Sequence, residues 1–186
     1  MANQVDICNL ALGLIGAEPI GAVSESVPCG TNWENAVKAT LQAFDWSFAR
    51  KRAELSRSAT SPAFGYAYAY PLPSDCLEPI IVNQSTGTKW IIEGDDLLTD
   101  EEEIELVYTA YITDEGAFPP LFVDALATRL AADIAPAVTR NFQLQRELMQ
   151  LFDFKLQRAM ERDANKRLSD PLYKEDTNNT KWVTVR

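Results

Sequence analysis

The spacing of apolar residues shifts along the chain, and each shift marks a change of element. Residues 3 to 16 have helical spacing: Val5, Cys8, Leu12 and Ile15 recur at steps of three and four, and Ile7, Leu10, Ala11 and Leu14 cover most of the remaining surface. A helix apolar nearly all round is normally buried. Asn3 suits its N-cap, Asp6 its first turn, and Gly16 its end. A loop with Pro19, Gly21, Pro28 and Gly30 follows. TNWE at 31–34 has the form of a capping box, and Trp33, Val37, Leu41, Phe44 and Phe48 then predict a helix running to about residue 52. On this reading Phe44 and Phe48 face the core and Trp46 lies off the stripe. Arg50, Lys51 and Arg52 fall in the last turn, where cations meet unpaired carbonyls.

After a loop at 56–65 the period becomes two. YAYAYPLPSDC alternates aromatic and small residues, and EPIIVN, TKWIIEG, DLLT and EEIELVYTAYI are short β-rich runs separated by turn residues. They predict a small antiparallel sheet over about 66–112. Helical spacing returns at Pro119 and Pro120, with Phe122, Leu126, Leu130 and Ile134 four apart, and Pro136 is expected to break or kink that helix. A last helix is expected over about 137–167, with Leu144, Leu148, Leu151 or Phe152, and Ala159 as its stripe. From Ser169 the chain is polar and closes on KWVTVR. The expected fold is α+β but mainly α. It is a four-helix core (1–55 and 113–168) with a small antiparallel β insert between helices 2 and 3 (56–112) and an extended C-terminal tail (169–186).

Composition narrows the chemistry. With 186 residues and 46% hydrophobic content, the chain can bury a core. The longest apolar run, ICNLALGLIGA, is too short to cross a bilayer and has no cationic segment before it, so no membrane association is expected. There is no histidine, which excludes Ser-His-Asp and Cys-His nucleophiles and His-ligated metals. Cys8, Cys29 and Cys76 show no CxxC spacing, and neither a dinucleotide fingerprint nor a P-loop is present. No cofactor or metal is expected, paired-carboxylate chemistry stays possible because it needs only Asp and Glu, and the chain reads as made in a reducing cytoplasm.

Charge is unevenly spread on a chain of net charge −10. Residues 95–105 hold seven acids and no base, among them Asp95, Asp96, Asp100, Glu101, Glu102 and Glu103. These lack calcium-loop spacing, so they are expected to form a solvated or channel-facing acidic surface. The last helix carries Arg140, Arg146, Lys155, Arg158, Arg162, Lys166 and Arg167 against four acids. Opposed faces on one small chain suit head-to-tail contact between identical subunits. Such an acidic chain is poorly suited to wrapping DNA, whose phosphates demand Lys and Arg.

Several segments carry a resemblance: ICNLALGLIGAEPI, FDWSFARKRAEL, YAYPLPSDCLEPIIV, KWIIEGDDLLT and IELVYTAYITDEGAFPPLFVDALATRLAADIA, together spanning about residues 3–165. In order and spacing the chain resembles the tail tubular protein A type of head-to-tail adaptor of tailed bacteriophages. The resemblance implies a helical bundle with an inserted β domain. It also implies a virion ring of twelve copies between the portal protein and a nozzle or tail protein, through which DNA passes unbound. It implies no catalytic residues. Arg50, Lys51 and Arg52 are then candidates for contact with the next subunit or the portal, and Trp182, Val183, Val185 and Arg186 for a tail anchor in a partner. Two other readings stay open: a phage-associated carbohydrate hydrolase with paired carboxylates and stacking tyrosines Tyr66, Tyr68 and Tyr70, and a smaller helical connector of long-tailed phages.

Overall fold

The computed structural model describes residues 2–83 and 87–166. Four helices flank a run of strands: α1 (Gln4–Leu14), α2 (Val27–Gln42), β1 (Arg50–Leu55), β2 (Tyr68–Pro71), β3 (Cys76–Val82), β4 (Trp90–Glu93), β5 (Asp96–Thr99), β6 (Ile104–Ala110), α3 (Pro120–Thr139) and α4 (Phe142–Ala164).

The helix starts follow local chemistry. Asn3 accepts from the Asp6 N–H at 2.9 Å while the Asp6 carboxylate accepts from the Asn3 N–H at 3.0 Å, a closed capping box. Gly16, at φ 70°, ends α1 as expected. α2 begins earlier than the TNWE motif, with Pro28 in its first turn. α3 continues through Pro136 to Thr139, and the break falls instead at Arg140, which takes a left-handed φ of 55°. The Asn141 side chain then caps α4 by accepting from Gln143 and Leu144 N–H groups. With only two residues between them, α3 and α4 form an antiparallel hairpin, tied by Lys155 to Asp124 at 2.7 Å.

α3 is the hub of the helical core. Phe122, Leu126, Leu130 and Ile134 are all buried, and α1, α2 and α4 each pack on it. Leu148, Phe152 and Ala159 supply the inner face of α4. The all-round burial expected of α1 is not found, because Leu10 is 52% exposed.

The expected fold class needs correction. The β part is not one small sheet in a mainly helical protein. Among the described residues, six strands form two three-stranded antiparallel sheets, ordered β1-β6-β3 and β2-β5-β4, and the fold is α+β with strands in the middle and helices on either side. A second core lies between them, built from Tyr70, Val82, Leu97, Ile104, Leu106, Tyr108 and Ala110. Helix α2 stops at Gln42, not near 52, and Arg50–Lys51–Arg52 open strand β1, paired with Thr109, Tyr108 and Val107 of β6. The cause is visible in RKRAEL: Ala53 and Leu55 alternate with polar residues and pack on the second core, but charge conceals the two-residue period. Aromatics at 44, 46 and 48 are equally compatible with a strand, and Phe44 and Phe48 alone imitate a helical stripe. The edge strand β3 accommodates Pro79 with register shifts on either side of it.

Candidate functional site

Residues 43–49 form a turn that joins α2 to β1. Trp46, expected off the core, is its most buried aromatic at 1% exposure. Its indole N–H donates to the Thr40 carbonyl at 3.0 Å, and its ring meets Phe44 and Phe122 edge-on at 5.3 and 5.1 Å. Phe48 lies against Phe118 and Phe122, completing a five-ring cluster that is part of the helical core. Two polar clamps hold the turn. Asp45 accepts from the Arg50 guanidinium through both oxygens, Nε at 3.2 Å. Asp163, buried near the end of α4, accepts from the Ser47 N–H at 2.7 Å and hydroxyl at 2.5 Å. The Ala110 N–H donates to the Ala49 carbonyl at 2.8 Å and carries the sheet into the turn.

The three clustered cations therefore have three different surroundings. Arg50, with its side chain 9% exposed, is an internal clamp. Lys51 reaches Asp75 at 2.6 Å, whose other oxygen accepts from the Tyr108 hydroxyl at 3.0 Å. Arg52 is exposed and makes no ion pair among the described residues. Only Lys51 and Arg52 are placed where a partner can reach them.

Asp75 gives this cluster a pH signature. Burial raises its pKa, but hydrogen bonds from Lys51 and Tyr108 and the Lys51 charge outweigh that, so the carboxyl titrates below its usual 3.8. Burial and the bond to Asp75 push Tyr108 up to about 12. A lowered folded pKa means the carboxylate stabilises the fold above the unfolded value and loses that contribution as pH falls through the folded one. Replacing Lys51 by methionine should move the acid-unfolding midpoint, followed by circular dichroism, to higher pH. An unchanged midpoint would show that the lysine does not hold Asp75 ionised.

The acidic residues fall at two places along the chain's β part. Asp95 and Asp96 sit at the β4–β5 turn, where Gly94 has φ 62°, and Asp100 to Glu103 lie at the other end of β5. With Asn83 and Glu105, the latter four line an open depression of about 550 Å³. Asn83 braces it: its amide donates to the Glu103 carbonyl at 2.9 Å and accepts from the Glu105 N–H at 2.8 Å. Asp100 accepts from the Ala67 N–H at 2.9 Å. Among the described residues, no group of three or more acids or cysteines is placed to hold a metal ion. Of the tyrosines offered for sugar stacking, Tyr68 and Tyr70 are engaged within the chain. Tyr70 is buried with its hydroxyl on the Glu101 and Glu102 carbonyls, and Tyr68 lies under the Arg57 guanidinium with its hydroxyl on Glu102.

On α4, Lys155 is taken by Asp124 and Thr128, and Arg158 lies over the Phe154 ring, while Arg162 and Lys166 border a groove of about 290 Å³. Sequence reading missed this groove, because it forms only where the start of α3 meets the end of α4. It also missed Asp163, which shows no signal among the other acids of its helix. Trp182, Val183, Val185, Arg186, Arg167 and the whole 169–186 tail lie outside the described residues. Among the described residues, no helix is long and apolar enough to cross a membrane. No family model matches the chain, and no curated protein matches it.

Proposed function

We propose that the chain is a structural subunit of a phage virion, a head-to-tail adaptor. Copies of it, twelve by the resemblance, close into a ring that joins the portal protein to the tail or nozzle protein and extends the DNA channel. The observation that carries the reading is the separation of charge. Exposed acids cluster where β5 meets β6, and Arg162 and Lys166 border the groove at the end of α4, so each copy offers an acidic patch and a separate patch with two cations. The segments that carry the resemblance agree with it. FDWSFARKRAEL, the most distinctive of them, makes the turn and strand that join helices to sheets. The joint would set the angle between the two parts in a ring. Acids left outside the contacts between copies would face the bore and repel phosphate, so DNA slides without sticking. In this role the chain needs no cofactor and performs no catalysis.

The test is a virion reconstruction by electron cryo-microscopy, with negative-stain images of the purified chain alone and with portal. Ring density at the junction below the capsid vertex is expected, with acidic side chains toward the bore. Density elsewhere in the virion, or a bore lined by lysine and arginine, would end the reading.

A further inference from the structure

Phe64 is 88% exposed, the most exposed large apolar residue among those described. It sits between Pro62 and Gly65, and Gly65 has φ 92°, so the loop turns sharply beside it. Three residues on, the Ala67 N–H donates to Asp100 at 2.9 Å, so chain length alone keeps the Phe64 backbone within about 14 Å of that carboxylate. The β part thus offers an apolar knob on the loop that Asp100 anchors, with Glu101, Glu102 and Glu103 directly following Asp100 in sequence.

The groove on the helices has the opposite character. Trp46, Leu121, Phe122 and Ala159 give it apolar walls, and Leu121 is 37% exposed there. Arg162 and Lys166 stand on its lining. Asp163 is also on the lining, but it is 3% exposed and engaged by Ser47 and, at 3.7 Å, by Lys166. Arg162 makes no ion pair among the described residues.

We propose that the groove between the start of α3 and the end of α4 is the seat for the Phe64 loop of a second copy of this chain, with Asp100 to Glu103 meeting Arg162 and Lys166. The inference deepens the ring reading and rests on it. Two charge signs and two shapes match at once: an exposed aromatic meets an apolar slot, and a carboxylate cluster meets two cations. Because knob and slot are different patches, the contact is head-to-tail and leaves each copy able to bind two neighbours. The aromatic anchor supplies the binding, and the charges supply orientation and salt sensitivity.

Sedimentation of the full chain up to about 1 mM, where contacts worth about 4 kcal/mol register, is the first measurement. Association is expected, weakening as salt is raised. Phe64→Ala should weaken it about tenfold or more, with an unchanged thermal melt because the side chain is solvent-exposed. Arg162→Glu should weaken it as well, and adding Glu101→Arg in the same chain should restore it. Benzoylphenylalanine at position 64 should photo-crosslink to peptide 119–122 or 159–166 of another copy. A chain that stays monomeric, a Phe64→Ala variant that associates like the parent, or crosslinks elsewhere would each overturn the contact. None of these results bears on where the protein sits in a virion, which the reconstruction decides separately.

Discussion

Replacing Trp46 by alanine is expected to lower unfolding stability by about 3–5 kcal/mol, the range for deleting a large buried aromatic. The residue is 1% exposed and touches three other rings, so its removal forfeits packing on several sides at once. The loss also strips the Thr40 carbonyl at the end of α2 of its indole donor. Trp46→Phe separates the two effects, since it keeps a ring and loses the N–H. It should cost clearly less than the alanine variant. Guanidinium titrations of the three proteins would check this, read as shifts of midpoint at constant slope. An alanine variant within about 1 kcal/mol of the parent would mean that the five-ring cluster does not hold the 43–49 turn to the helical core.

The second large effect is at Arg50. Changing it to glutamate places a carboxylate against Asp45, whose side chain is only 21% exposed. Leaving a desolvated charge without its partner costs about 3–5 kcal/mol, and here a repulsion is added. Arg52→Glu, on the exposed neighbour, should change stability by no more than about 0.5 kcal/mol. Thermal melts of the two single variants give the contrast directly. Equal melts would show that the Asp45–Arg50 clamp contributes nothing. Reversing all three cations together would therefore report on folding before it reported on assembly. Arg52, and not the cluster as a whole, is where a partner contact is cleanly probed.

Much of the fold was legible because it depends on residues close in sequence. Asn3 and Asp6 close a capping box three residues apart, Phe122 to Ile134 trace one helical face, and Gly94 with its neighbours makes a turn between β-rich runs. Those features follow from local geometry, and local geometry repeats with the chain. The aromatic turn was misread because FDWSFA carries a spacing that helix and strand share. What separated the two was Asp163, more than a hundred residues away, taking the Ser47 N–H that a continuing helix would have spent on its own backbone.

The sequence by itself determined that the chain has a helical core interrupted by strands, that histidine chemistry is closed to it, and that its charges are unevenly distributed. Only the tertiary structure decided that the strands make two sheets, that three adjacent cations have three different environments, and that the run of acids divides between the two ends of β5. The physical reason is the same in each case. Burial and pairing are properties of surfaces brought together from distant segments, and a side chain's neighbours along the chain do not say which side of a sheet it will face or which charge will meet it.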